Sequence, residues 1–165
     1  KKMNHELDVV QIRLIKERTL YSESVLNSPE NVVQFLTDEF ASFDREVFGI
    51  LNLNTQNQVI NMNIVSVGVI DQAIVSPREI FKSSILSNAT SILLLHNHPS
   101  GKVTPSREDL QITDQLCNAG MLLGIRVLDH VIIGGRNGWS YSFLEHGDLE
   151  AGRVVKRKES KKVRL

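Results

Sequence analysis

Between Leu7 and Ile15 apolar and polar residues alternate, with Val10, Ile12 and Leu14 set against Gln11 and Arg13. A period of two predicts a half-buried strand, and a connector follows to residue 27. Ser28-Pro29-Glu30 opens a helix with a serine cap, a proline at the first helical position and an early acid. Val32, Val33, Leu36 and Phe40 supply its apolar face. Glu46 to Asn54 and Gln58 to Val65 read as a hairpin about Thr55-Gln56-Asn57, continuing into a third strand near Val67 to Ile74. Ser76 and Glu79 stand in capping-box spacing around Pro77, and Ile80, Phe81, Ile85 and Leu86 form the predicted buried side of a second helix.

Ser91 to Leu95 is short and strongly apolar, as a strand covered on both faces would be, so it is placed centrally in a sheet. Thr104-Pro105-Ser106 opens a third helix expected to stop near Gly120. Val127 to Ile133 and Ser140 to Leu144 complete the strands, separated by Gly134-Gly135-Arg136-Asn137-Gly138. Strands with three interspersed helices indicate a layered α/β or α+β sheet. No internal repeat or interior linker divides the chain. The organisation expected is an amino-terminal strand and connector over 1–27, one domain over 28–150 and a basic tail over 151–165.

Composition narrows the class. Hydrophobic residues are 41% and charged residues 23% of the 165, so a disordered chain is excluded. No apolar run is long enough to cross a bilayer, and residues 1–6 lack a signal-peptide core. The single cysteine, Cys117, excludes an internal disulfide framework and a Cys-rich zinc site, and fits a reducing, cytoplasmic setting. Net charge is zero, but residues 151–165 hold seven Lys/Arg against one acid. The other 150 residues therefore carry −6, so only the tail is suited to nucleic-acid phosphate or an acidic partner.

The chemistry concentrates between Leu95 and Asp109. His96 and His98 are two apart at the end of the apolar strand, so both imidazoles project to one side. Ser106 and Asp109 are three apart in the first turn of the following helix and share a face. If that face folds back over the strand end, two imidazoles and a carboxylate converge. Such a set suits zinc with one coordination position open, and bound zinc brings the pKa of a coordinated water to about 7. A carboxylate beside it is needed to move the proton, and spacing alone does not choose among Glu39, Asp44 and Glu46.

Several similar patterns fail. The HNH nucleases disperse their three residues, whereas His96-Asn97-His98 is contiguous. Ser100 stands where a metallo-β-lactamase needs Asp, and Val103 where a cupin needs Glu. Gly101-Lys102 lacks the first glycine and the Ser/Thr of a phosphate loop.

His96-x-His98, seven residues, Ser106, two residues and Asp109 match the JAMM signature of MPN-domain metalloproteases. Leu94-Leu95-His96-Asn97-His98-Pro99-Ser100-Gly101, Leu128-Asp129-His130-Val131-Ile132-Ile133-Gly134 and Tyr141-Ser142-Phe143 resemble its RadC branch, over Ser28 to Leu149. The resemblance implies a single-domain, curved mixed sheet flanked by helices. It implies zinc held by His96, His98 and Asp109, Ser106 bonding the water or tetrahedral intermediate, and Glu46 as general base. It further implies hydrolysis of a peptide or isopeptide bond in a protein or peptide substrate, and allows for a homodimer. RadC proteins also carry a DNA-repair association, under which the domain would be a DNA-linked adaptor. Full-length RadC proteins have an amino-terminal helix-hairpin-helix region; none is read here, so the resemblance is to short stand-alone members.

The remaining candidates read as structural. His130 is expected as a hydrogen-bonded strand histidine, His5 and His146 as surface residues, Cys117 as a small buried hydrophobe and Trp139 as packing on the last strand. Asn97 and Lys102 are placed at the border of the cleft.

Overall fold

The computed structural model describes residues 7–68, 75–135 and 138–155. Helix α1 (Pro29–Ala41) starts where Ser28 Oγ accepts from Asn31 N at 3.2 Å, and buries Val32, Leu36 and Phe40. Strands β1 (Val47–Leu53) and β2 (Val59–Val67) form the antiparallel hairpin, turning through Asn57 with φ at 59°. Helix α2 (Pro77–Leu86) precedes β3 (Ser91–His98), and α3 (Arg107–Leu123) links β3 to the parallel strand β4 (Arg126–Gly134). Strand β5 (Ser140–Ser142) pairs antiparallel with β4, completing a mixed sheet of order β2-β1-β3-β4-β5. The result is one α+β domain: three helices and an open five-stranded sheet among the described residues.

β3 lies in the middle, as its unbroken apolar run requires, and Ser91 through Asn97 are all buried. Strand alternation divides the core in two. Phe48, Ile50, Ile92, Leu94 and Ile132 face α2 and α3, packing on Ile80, Phe81, Ile112, Leu116 and Cys117. Val47, Leu51, Leu53, Leu93, Leu95 and Val131 face α1 and meet Val32, Leu36 and Phe40. The same parity aims His96 and His98 toward α3 and Asn97 toward the opposite layer. Each fully buried Leu or Ile contributes roughly 1.5–3 kcal/mol, so the paired layers fix this parity and with it the histidine direction.

Several expectations are corrected. Residues 7–27 form no strand; Leu7, Val9, Val10, Ile12 and Ile15 are exposed, because no sheet edge hydrogen-bonds to them. The segment is tied down instead by Leu20 against the α1 layer and by Arg18 to Glu39 at 2.7 Å. The third strand near Val67 to Ile74 does not begin at Val67, which ends β2, and residues 69–74 lie outside the described residues. Ser76 makes no side-chain cap, and α2 turns Ser83 and Ser84 inward while Ile85 and Leu86 stay largely exposed. The small serine side matches buried Asn52 on β1, whose amide donates to Ser83 Oγ at 3.1 Å.

Helix α3 runs past Gly120 to Leu123 and ends on Gly124, whose φ of 70° is the left-handed cap. Gly120 serves a different purpose: a Cβ there would sit 2.3 Å from the Ile125 carbonyl oxygen. The stretch assigned to the basic tail begins as a hairpin, with β6 (Leu149–Glu150) pairing β7 (Arg153–Val154). Residues 156–165 and His5 lie outside the described residues.

Candidate metal centre

The site forms where β3 ends and α3 begins. β1 and β3 pair Phe48 with His96, and continuing that antiparallel register sets Glu46 across from His98. Asn97, on the other side of β3, braces this corner: its Oδ1 accepts from Val47 N at 2.6 Å and its Nδ2 donates to Arg45 O at 3.0 Å. These bonds bracket Glu46. Asn97 is therefore fully buried behind the cleft and not at its border, because strand alternation turns it away. Lys102 does line the cleft, and its carbonyl oxygen accepts from His98 Nδ1 at 2.5 Å, leaving Nε2 to face inward.

Asp109 enters from α3. Ser106 caps the helix: its Oγ accepts from Asp109 N at 3.0 Å, while Ser106 N and Oγ each donate to Asp109 Oδ2 at 2.7 Å. That reciprocal pair fixes the carboxylate beside both imidazoles, with Oδ1 3.2 Å from His96 Nδ1 and Oδ2 3.4 Å from His98 Nε2. Burial pushes the Asp109 carboxyl upward, but His96, His98 and the Ser106 hydroxyl outweigh it and hold it well below the usual carboxylate range. The Asp109 carboxylate in turn raises His98 above an ordinary histidine, against the effect of burial.

His96 is the telling residue. It is buried, wedged near Phe48 and edge-on to His98 at 4.7 Å; its Nδ1 has only the 3.2 Å contact with Asp109 Oδ1, and its Nε2 has no hydrogen-bond partner. A buried ring nitrogen without a partner is costly unless it binds something. Ligating atoms of Glu46, His96 and His98 lie within 4.8 Å of one another, so this group could hold a metal ion. With Asp109 adjoining both histidines, the carboxylate and imidazole donors fit a borderline divalent cation. Glu46, His98 and Asp109 open onto a cleft of about 400 Å³, bordered by Lys102, Thr104 and Glu108 as well, with His96 buried behind them.

The other histidines separate from the site. His130 is fully buried in mid-strand, and Thr113 Oγ1 lies 2.7 Å from its Nδ1. His146 is exposed as expected but stacks on Tyr141 at 3.8 Å. The Trp139 side chain, expected against the last strand, is mostly exposed. Cys117 is buried, with its thiol pushed up to about 12, chiefly by burial. Sequence reasoning missed Thr113 and the bracing role of Asn97; both are polar residues at core positions, which was the available signal.

The model of the RadC-like JAB domain family matches residues 26–148. Similar proteins include a UPF0758 protein of Caldanaerobacter subterraneus subsp. tengcongensis, 46% identical over 125 residues covering 76% of this chain and 54% of the relative. One from Rubrobacter xylanophilus is 47% identical over the same shares, and one from Moorella thermoacetica is 49% identical over 68% of this chain and 49% of its own length. The chain thus spans about half the length of these relatives. No described helix is long and apolar enough to cross a membrane.

Proposed function

Because this chain belongs to the RadC-like JAB domain family and gathers these donors, we propose that it is a zinc-dependent hydrolase of peptide or isopeptide bonds. The observation that carries the reading is His96, buried among Glu46, His98 and Asp109 with its Nε2 unpartnered and its Nδ1 touching only the Asp109 carboxylate. His96, His98 and Asp109 are the assigned ligands, and Glu46 is kept for proton transfer. Zinc, when bound, supplies the Lewis acidity that polarises the scissile carbonyl and acidifies water.

The chain's own groups do the rest. Glu46 takes the proton of the attacking water and returns it to the departing nitrogen, so no covalent intermediate with the protein forms. Asn97 holds the backbone on both sides of Glu46, limiting the wander of that carboxylate. Ser106 Oγ turns its hydrogen from Asp109 Oδ2 to the developing oxyanion, while Ser106 N goes on holding Asp109. Lys102 keeps His98 in one tautomer through its carbonyl oxygen.

Elemental analysis of the purified chain and a proteome-wide cleavage screen test this. One zinc per chain and cleavage abolished by chelation are expected. Glu46→Gln retains zinc and loses turnover by at least about 100-fold, whereas His98→Ala and Asp109→Ala lose both. Loss of zinc in Glu46→Gln would move Glu46 into the ligand set, and undiminished cleavage by metal-free protein would overturn the reading.

A further inference from the structure

Thr113 lies one turn beyond Asp109 on α3 and is fully buried. Its hydroxyl donates to the Asp109 carbonyl oxygen at 2.6 Å. A hydroxyl has one hydrogen, so the 2.7 Å contact with His130 Nδ1 is donated by the ring. His130 therefore carries its hydrogen on Nδ1, aimed across the β4–α3 interface. Back-bonding by a helical threonine is ordinary. A fully buried imidazole directing its N–H onto that same hydroxyl is a second, long-range tie.

His130 is held through its backbone and through the faces of its ring, while the buried Nε2 makes no hydrogen bond. His130 N donates to Asp129 Oδ1 at 2.7 Å, and Phe143 N donates to His130 O at 3.0 Å. The ring stacks on Phe143 at 4.7 Å, lies 5.5 Å from Phe48, and runs nearly parallel to His96 at 5.9 Å. One rigid side chain thus packs beside one candidate ligand and connects, through Thr113, to the backbone of another.

We propose that His130 and Thr113 form a positioning couple that sets the first turn of α3 against β3 and β4, so that Asp109 meets His96 and His98 at metal-binding distance. This rests on the metal reading above and goes beyond it, since neither residue lines the cleft or is assigned as a ligand. Thr113 and His130 act through Asp109 and His96, so their removal weakens metal binding without deleting a donor.

Cobalt(II) titration of the full chain, followed by its visible absorption, reads affinity and coordination geometry without any substrate. Thr113→Val and His130→Phe, both close in shape to the residues replaced, are each expected to weaken cobalt binding about 10- to 100-fold and to alter the visible band. Thr113→Ser keeps the hydroxyl and stays within about threefold of the parent chain. The double variant binds no more weakly than the weaker single variant, because both changes break one connection. Circular dichroism of the metal-free variants checks that they are folded, and if Thr113→Val is not, His130→Asn, which retains an N–H donor, is compared with His130→Phe. Parent-like cobalt binding by Thr113→Val and His130→Phe, or fully additive losses, overturns the couple alone. Failure of the parent chain to bind cobalt or zinc overturns the metal reading and the couple together.

Discussion

His96, Asn97 and His98 are consecutive, yet they work on opposite sides of β3. The two histidines face α3, and the asparagine holds the strand entry that carries Glu46. A pattern of alternating residues explains the first fact from the sequence; the second depends on a partner about fifty residues earlier. His130 shows the same limit, since its motif is local but Thr113 is its partner across the fold. Burial above all drives the His130 pKa down to about 3 from an ordinary 6.5. Between those values the unfolded chain binds a proton that the folded chain rejects, so this group removes stability as pH falls from 6.5 toward 3. His98, raised in the metal-free chain, acts in the other window: its contribution is complete below 6.5 and is lost as pH rises through its folded value. His130→Phe is therefore expected to flatten the acid-side loss of stability, measured by denaturant unfolding from pH 6.5 to pH 4. An unchanged slope would remove His130 as its source.

At the scale of the element, α3 combines a functional start with a structural end. Its capping box both satisfies the helix terminus and orients Asp109, so Ser106→Ala is expected to cost about 1 kcal/mol, or roughly 3 °C in melting temperature. The same change should weaken cobalt binding, because Asp109 Oδ2 loses one of its two bonds from Ser106. Melting and cobalt titration on one sample separate the two effects. Toward the other end, Gly120→Ala pushes a methyl to 2.3 Å from the Ile125 carbonyl and should destabilise by more than 1 kcal/mol, with α3 forced away from the chain entering β4. Equal or higher stability in this variant would contradict the observed close approach. The expectation that Gly120 stops the helix fails for this reason: a glycine signals either a turn or a close contact, and the sequence does not distinguish them. Helix α2 teaches a similar lesson, because the buried amide of Asn52 draws Ser83 inward and leaves Ile85 and Leu86 outward.

For the whole molecule, the proposed ligands come from β3 and α3, so a bound ion would link these two elements, with Glu46 beside it just ahead of β1. Zinc at about 100 times its dissociation constant should add about 2.7 kcal/mol of stability, reversible by chelator and absent in Asp109→Ala, as read by thermal melting. Equal shifts in parent and variant would place the ion elsewhere. By itself the sequence determined the order of the principal elements, the central position of β3, the common direction of His96 and His98, and the cap that carries Asp109. Those features follow from short-range periodicity and capping chemistry. Only the tertiary structure decided that residues 7–15 stay unpaired, that Asn97 braces Glu46, and that His130 reaches Asp109 through Thr113. Each of these depends on which distant backbone or side chain supplies a hydrogen-bond partner, and that is set by strand order and helix packing rather than by neighbouring residues.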